Sequence, residues 1–388
     1  MKPNIYQYFR QERIIYGFPL NEAVAAELER HDRHRVFVVA TRSLSRKTGV
    51  VSSLVAMLGN RFAGLFDDVE PHVPRTVAVA AAAASREAGA DMLISIGGGS
   101  AIDTGKMVQI CLAEGITEPL ALDRLRVRTD DDGTPVVPSI KTPPLRQIAI
   151  PTTLSGGEFS HTAGSTDTER HIKDIYIQDD LAAPAVILDA AATVSTPQWL
   201  WMSSGMRAID HAVGSICTAN PNPMTDATTP EGLRRLAAAL RRVKADPHDL
   251  DARLECQLGV WLSSTGMMRM QYGASHGLSW HLSAVADVPH GHCSCVLLPA
   301  TLRFNEPANA ERQRIVSACL GTPDIPAADA VRDLIEELGL PTRLRDVGIE
   351  RHHFDKIAED AMDNLLVRNN PRRIDHPDQV REILELAW

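Results

Sequence analysis

The chain has 388 residues, 44% of them hydrophobic and 23% charged, with a formal net charge of −9. That length suits about two domains with a substantial core, and the acidic balance argues against nucleic acid or an anionic membrane as the main partner. No run approaches the roughly 18 apolar residues of a membrane span, the start lacks the apolar stretch of a signal peptide, and the six cysteines include no Cys-x-x-Cys pair, so a cytoplasmic protein acting on a small molecule is expected.

Residues 35–42 (Arg-Val-Phe-Val-Val-Ala-Thr-Arg) read as the first strong strand, and residues 50–58 as a helix. Residues 76–90 are alanine-rich and helix-favouring, and lead into the buried parallel strand 92–96 (Met-Leu-Ile-Ser-Ile). Three glycines follow, Gly97, Gly98 and Gly99, then a helix expected to start at Ser100 with Asp103 completing a capping box. Residues 123–144, rich in Asp, Arg and Pro, suggest a loop or hairpin insertion. Strands are expected again at 147–151 and 185–189. Alternating strands and helices imply a doubly wound parallel α/β domain over residues 1–190. From 191 to 388 only helical patterns appear, at 199–217, 231–243, 250–270, 308–320, 327–338 and 379–388, with Pro and Gly breaks such as Pro289-His290-Gly291. This is an all-helical second domain, and the cleft between the two is the expected ligand site.

Strand, glycine turn and fresh helix N-terminus make an anion site, with free N–H groups and a positive dipole end facing a phosphate. The phosphate loop of nucleotide hydrolases is excluded, because Ser100 and Met107 stand where it needs Gly and Ser or Thr. The G-x-G-x-x-G dinucleotide fingerprint fails as well, with Ile102 at its third glycine.

Histidine carries the remaining signal. Of 14 histidines, several cluster in the helical half, among them His211, His276, His281, His290 and His292. In order along the chain, Gly97-Gly98-Gly99-Ser100 with Asp103 and Lys106, Pro151-Thr152-Thr153 with Gly156-Gly157-Glu158, the run 204–212 (Ser-Gly-Met-Arg-Ala-Ile-Asp-His-Ala), His276-Gly277 and Pro289-His290-Gly291 resemble the iron-containing alcohol dehydrogenase superfamily, whose fold is dehydroquinate synthase-like. The resemblance implies NAD or NADP as cofactor, with Gly97, Gly98, Gly99, Ser100 and Asp103 at the pyrophosphate and Thr152 and Thr153 along the nicotinamide half. It places Thr41 where members carry a ribose-binding aspartate, and Arg42 within reach of a 2′-phosphate. It makes His211, His276 and His290 the counterparts of metal-ligand histidines, and by analogy implies a homodimer.

The departures point to chemistry. Metal-dependent members carry an aspartate four residues before the first ligand histidine, and this chain has Arg207 there. Positions i and i+4 share a helix face, so a guanidinium with no lone pair to give occupies the carboxylate's place. The resemblance then runs to the maleylacetate reductase branch, which lacks that aspartate and shares the segment Asn370-Pro371-Arg372. Differences remain: Arg rather than Asn at 207, Gly214 where a glutamate often follows the histidine, and Gly291-His292 after His290.

The expectation is an NAD(P)H-dependent reductase without a catalytic metal, acting on a small oxo-acid or unsaturated carbonyl that bears a carboxylate. Arg207 would clamp that carboxylate, or pair with Asp210 and merely fill the site. His211, His276 or His290 would move the proton, and His161 is a further substrate-contact candidate. Two alternatives stand beside it: an iron- or zinc-dependent alcohol/aldehyde dehydrogenase, and a dinucleotide-binding pseudoenzyme.

Overall fold

The computed structural model describes residues 6–130, 134–170 and 172–388. The chain divides into two compact units, Tyr8–Ser195 and Thr196–Trp388, the latter joined by Tyr6 and Gln7.

The first unit is built on a six-stranded parallel sheet. Its strands are β1 (Arg13–Tyr16), β2 (Val36–Thr41), β3 (Phe62–Val69), β4 (Met92–Gly97), β7 (Arg146–Pro151) and β10 (Ala185–Leu188), in the order β1-β10-β7-β4-β2-β3. β4 is buried along its whole length, as a strand covered on both faces must be. One apolar layer packs Val36, Val38, Ile94, Ile148 and Ile187 against the helices α1 (Leu20–Arg30) and α3 (Val50–Leu58). The opposite layer packs Phe37, Val39 and Leu93 against α4 (Arg75–Glu87) and α5 (Gly99–Glu114). A short helix, α2 (Arg42–Lys47), follows β2 directly. The chain runs outward from β2 to β3 and then crosses to β4 on the other side, so the strand order reverses between Thr41 and Gly97. Open α/β sheets bind ligands at such a switch point, beyond the carboxyl ends of the strands.

Two antiparallel pairs lie outside the sheet. The 123–144 insertion carries the short ladder β5 (Arg128–Thr129) with β6 (Pro135–Val136), and β8 (Thr162–Asp167) pairs with β9 (Ile172–Ile177). The second pair was not expected from sequence, and neither were β1 and β3. The reason is visible in their burial, since β3 is only half-buried along most of its length and β1 is a four-residue edge strand. Neither presents the apolar run that identifies β2 or β4.

Two helices mark the passage into the second unit, α6 (Ala190–Thr193) and α7 (Gln198–Ile216). There follow α8 (Pro223–Ala245), α9 (Leu250–Ser263), α10 (Ala274–Ala286), α11 (His290–Cys319), α12 (Ala327–Leu338), α13 (Phe354–Asp360), α14 (Leu365–Arg368) and α15 (Pro377–Leu386). Among the described residues this unit holds no strand. α11 joins two helices across a bend at Asn309, two residues after Pro307, where the missing N–H and the ring break the ladder. Pro289-His290-Gly291, read from sequence as a break between helices, is the start of this helix, with Pro289 as its N-cap. α10 was also missed, because its small residues give it little apolar periodicity.

Candidate functional site

In the first unit the predicted cofactor residues gather at the switch point. Gly97 ends β4 with φ +148°, where a side chain is strained, and a Cβ there would lie 2.9 Å from Ala101 Cβ and 4.0 Å from Thr41 Cγ2. A Cβ on Gly98 would lie 3.0 Å from Thr153 Cγ2. The Thr152 N–H donates to the Gly97 carbonyl at 2.8 Å, which ties the turn after β7 to the turn after β4. Thr41, Gly97, Gly98, Gly99 and Thr153 therefore surround one backbone cradle at the N-terminus of a 16-residue helix, whose first N–H groups have no intrahelical acceptor. These residues fit a dinucleotide pyrophosphate.

The expected capping box is absent. α5 starts at Gly99 with Gly98 as N-cap and no side-chain cap. Asp103 Oδ2 instead accepts the Gly164 N–H at 3.2 Å, which fastens β8 beside the cradle. Lys106 is fully buried, and its Nζ donates to the Gly157 carbonyl at 2.6 Å, the Thr162 carbonyl at 2.8 Å and Ser160 Oγ at 3.1 Å. It clamps the Gly156-Gly157-Glu158 loop from below. Burial pushes the Glu158 carboxyl up to about 7, against the pull of Lys106. His161 is buried against the Phe9 ring, with centroids 4.0 Å apart.

The second unit gathers the other candidates. α7 is buried on nearly every side, so its polar residues must find partners within the protein. Arg207 Nη1 donates to Ser294 Oγ at 3.2 Å, Asp210 Oδ2 at 3.4 Å and Ser279 Oγ at 3.5 Å. Asp210 Oδ2 also accepts from Ser294 Oγ at 2.7 Å and Ser275 Oγ at 3.0 Å. Arg207 retains 15% side-chain exposure and Asp210 1%, so the aspartate is the inner partner of the pair. The Arg207–Asp210 pairing that the sequence offered is present. The serine partners of Asp210 were missed. Ser275 and Ser279 are four residues apart on α10, and Ser294 is four past His290 on α11, a spacing that stacks hydroxyls on one helix face.

His276 follows Ser275 and lies with its Nδ1 3.3 Å from Asp210 Oδ1. Its ring stacks on Tyr272 at 4.3 Å and 10°, and its centre is 5.0 Å from that of His211. Burial and the Arg207 charge hold His211 and His276 well below the usual imidazole range, so both rings are neutral. Burial pushes the Asp210 carboxyl up, opposed by Arg207 and the two serines. His290 is half-buried at the start of α11, with Nδ1 3.3 Å from Ser283 Oγ. The segment around Asn370 serves this cluster indirectly. Asn370 and Asn305 exchange amide hydrogen bonds at 2.6 and 3.1 Å, and Asn370 Oδ1 accepts the Ala274 N–H at 3.0 Å, capping the helix that carries Ser275 and His276. Arg372 lies over the Phe304 ring at 3.9 Å.

Among the described residues no three His, Cys, Asp or Glu side chains converge on one ion position. The Arg207 guanidinium lies one helical turn before His211, and Asp210 Oδ2 accepts from two serines and that guanidinium.

A nucleotide cradle on a parallel sheet and a histidine-bearing polar cluster on helices together define a dinucleotide-dependent enzyme. The sequence matches iron-containing alcohol dehydrogenase over residues 11–190 and the C-terminal part of the Fe-containing alcohol dehydrogenase family over residues 201–388. A maleylacetate reductase of Rhizobium sp. strain MTP-10005 is 30% identical over 364 residues, 94% of this chain and 92% of that protein. A maleylacetate reductase of Burkholderia cepacia is 28% identical, over 98% of this chain and 96% of its own. The crystal structure of maleylacetate reductase from Agrobacterium tumefaciens superposes with a TM-score of 0.83 at 29% identity, covering 100% of this chain and 99% of that one. The chain belongs to the iron-containing alcohol dehydrogenase family, in the pattern of its maleylacetate reductase branch, and is an NAD(P)-dependent oxidoreductase.

Proposed function

We propose that this enzyme is a metal-independent NAD(P)H-dependent reductase of a small oxo-acid or unsaturated carbonyl compound carrying a carboxylate. One observation supports the reading: Arg207 stands four residues before His211, where metal-dependent members carry a carboxylate, and among the described residues its guanidinium is engaged through Nη1 alone. Asp210 and Ser294 hold that orientation, which leaves Nε and Nη2 to take a substrate carboxylate as a fork.

When bound, the reduced nicotinamide supplies the hydride. Gly97, Gly98, Gly99 and Ser100 would hold its pyrophosphate, with Thr41, Thr152 and Thr153 lining the same cradle. Hydride addition to the carbon–carbon double bond of an unsaturated oxo-acid puts negative charge on the substrate oxygen, which a guanidinium such as that of Arg207 can stabilise. The neutral rings of His211 and His276 act as hydrogen-bonding groups rather than charged acids. His290, the most open of the three, is the proton donor to the adjoining carbon. His161 is assigned only to the wall of the first unit.

A 340 nm assay with unsaturated oxo-dicarboxylates, other oxo-acids and simple aldehydes, each with EDTA, Fe²⁺ or Zn²⁺, tests this reading. Reduction of the carboxylated substrates at a rate indifferent to EDTA is expected. Stoichiometric iron or zinc whose removal abolishes activity would establish the metal-dependent reading instead. Tight NADH binding with no turnover of any substrate would make the chain a pseudoenzyme.

A further inference from the structure

The hydroxyls around Arg207 come from two helices that must keep one register. α10 supplies Ser279 to the guanidinium and Ser275 to Asp210, and α11 supplies Ser294 to both. Apolar burial is non-directional and does not by itself set a register, whereas satisfied hydrogen bonds between buried groups do. Such a tie lies behind α10. Asn305 Nδ2 donates to Asn370 Oδ1 at 3.1 Å, and Asn370 Nδ2 returns a bond to Asn305 Oδ1 at 2.6 Å, with both side chains buried. Asn305 stands about three turns after Ser294 on α11, and so on the same face.

Asn370 Oδ1 also accepts the Ala274 N–H at 3.0 Å, one of the donors that the start of α10 leaves open. A Cβ on Gly273 would lie 2.6 Å from that oxygen, and one on Gly277 would lie 2.6 Å from Val367 Cγ2 and 3.0 Å from Val367 N. Asn364 Nδ2 donates to the Gly277 carbonyl at 3.2 Å. Two glycines thus let the back of α10 press against residues 364–371. Ser275 and Ser279 each stand two residues from Gly277, about 160° round the axis at roughly 3.6 residues per turn. The helix is held by one face and offers its hydroxyls from the opposite one.

We propose that Asn305 and Asn370 are positioning residues for Arg207: their paired amides bolt α10 to α11 and so aim Ser275, Ser279 and Ser294 at Asp210 and the guanidinium. An amide suits this place because one short side chain both donates and accepts, where an aspartate would lack the donor. With the tie cut, Ser275 and Ser279 leave Asp210 and Arg207 together, and the guanidinium loses contacts that set its orientation. The dinucleotide cradle is built from residues of the first unit, so the effect falls on the substrate side alone. That kinetic effect rests on the reductase reading, whereas the placement of Arg207 does not.

Two variants separate placing the helix from capping it. Asn305→Leu cuts the tie and keeps the cap, since Asn370 retains the Ala274 N–H and the Arg372 carbonyl as partners. Gly273→Ser combined with Asn370→Ala cuts the tie and supplies a local N-cap in the space the amide vacates. The Arg207 Nε–H correlation of ¹⁵N-arginine-labelled enzyme, identified by its loss in Arg207→Lys, reads the guanidinium without turnover and should shift in both variants. KM for a carboxylated substrate should rise about tenfold in both, while KM for NADH stays within about twofold. A wild-type Arg207 signal and KM in the serine-capped variant would make Asn370 a cap only and overturn the positioning role, as would an unshifted signal in Asn305→Leu. A shifted signal in an enzyme that reduces no carboxylated substrate would sink the reductase reading and leave the positioning role standing. The wild-type protein gives a check that needs no variant to fold: the Asn305 and Asn370 side-chain amide protons should exchange with D₂O far more slowly than exposed amides, and exchange at the free rate would overturn the tie.

Discussion

Gly214 and Tyr272 occupy one space: a Cβ on Gly214 would lie 2.7 Å from Tyr272 Cδ1 and 3.8 Å from His276 Cε1. The residue that departs from the family's glutamate after His211 is thus what admits the ring stacked on His276. Tyr272 is buried, and burial pushes its hydroxyl up to about 12. Its contribution is the stacked plane rather than a titrating phenol. Gly214→Ala should displace the ring, lowering stability by about 1–3 kcal/mol and kcat by about tenfold, with KM for NADH unchanged. Tyr272→Phe keeps the stack and should retain activity within about threefold. Thermal melts and steady-state kinetics on both variants check this, and equal losses in the two would show that the hydroxyl matters after all.

Arg207 and Asp210 have to be tested as a pair. Arg207→Ala leaves an unpaired buried carboxylate, a change that costs about 3–5 kcal/mol, so loss of activity alone would be uninformative. Arg207→Lys keeps the charge and loses the planar fork. It should fold normally and raise KM for a carboxylated substrate by about tenfold or more, while leaving KM for NADH unaltered. An unaltered substrate KM would remove the carboxylate clamp from the mechanism.

Glu158 gives the first unit a pH signature. Its ordinary carboxyl value of 4.5 rises to about 7 on folding, so the folded state holds a proton that the unfolded state has lost between those values. Its contribution is complete below 4.5, declines as pH rises, and is gone above about 7. The full span corresponds to at most ~3 kcal/mol. Urea unfolding at pH 5 and pH 8 should show this decline in the wild-type protein and lack it in Glu158→Gln. An equal pH dependence in both would refute the assignment.

Cofactor choice should respond to Asp68. Arg42 is exposed and pairs with it, Nε to Oδ1 at 2.9 Å, and an exposed pair of this kind is worth about 0.2–1 kcal/mol. Asp68→Asn releases Arg42 to a 2′-phosphate, so KM for NADPH should fall by about threefold with KM for NADH constant. Arg42→Ala should do the reverse. If neither variant changes the NADPH to NADH ratio, Arg42 has no part in cofactor choice.

Sequence alone pointed to the α/β and helical halves, the glycine turn before a helix and the candidates Arg207, His211, His276 and His290. Those features are local. A continuous apolar run such as Met92–Gly97 announces a buried strand, three glycines before a helix announce a close backbone approach, and an arginine at i−4 of a histidine needs only helical spacing to be noticed. Short or half-exposed strands such as Arg13–Tyr16 carry no such signal, because what makes them strands is the neighbour they pair with. The capping box at Ser100 and Asp103 was lost in the same way, when Gly164 on a distant hairpin took the carboxylate. Only the tertiary structure decided what surrounds Arg207. Asp210, Ser275, Ser279, Ser294 and Tyr272 come from three segments whose contact depends on helix packing. A buried charge takes its meaning from the partners that packing brings to it, and no spacing along the chain contains them.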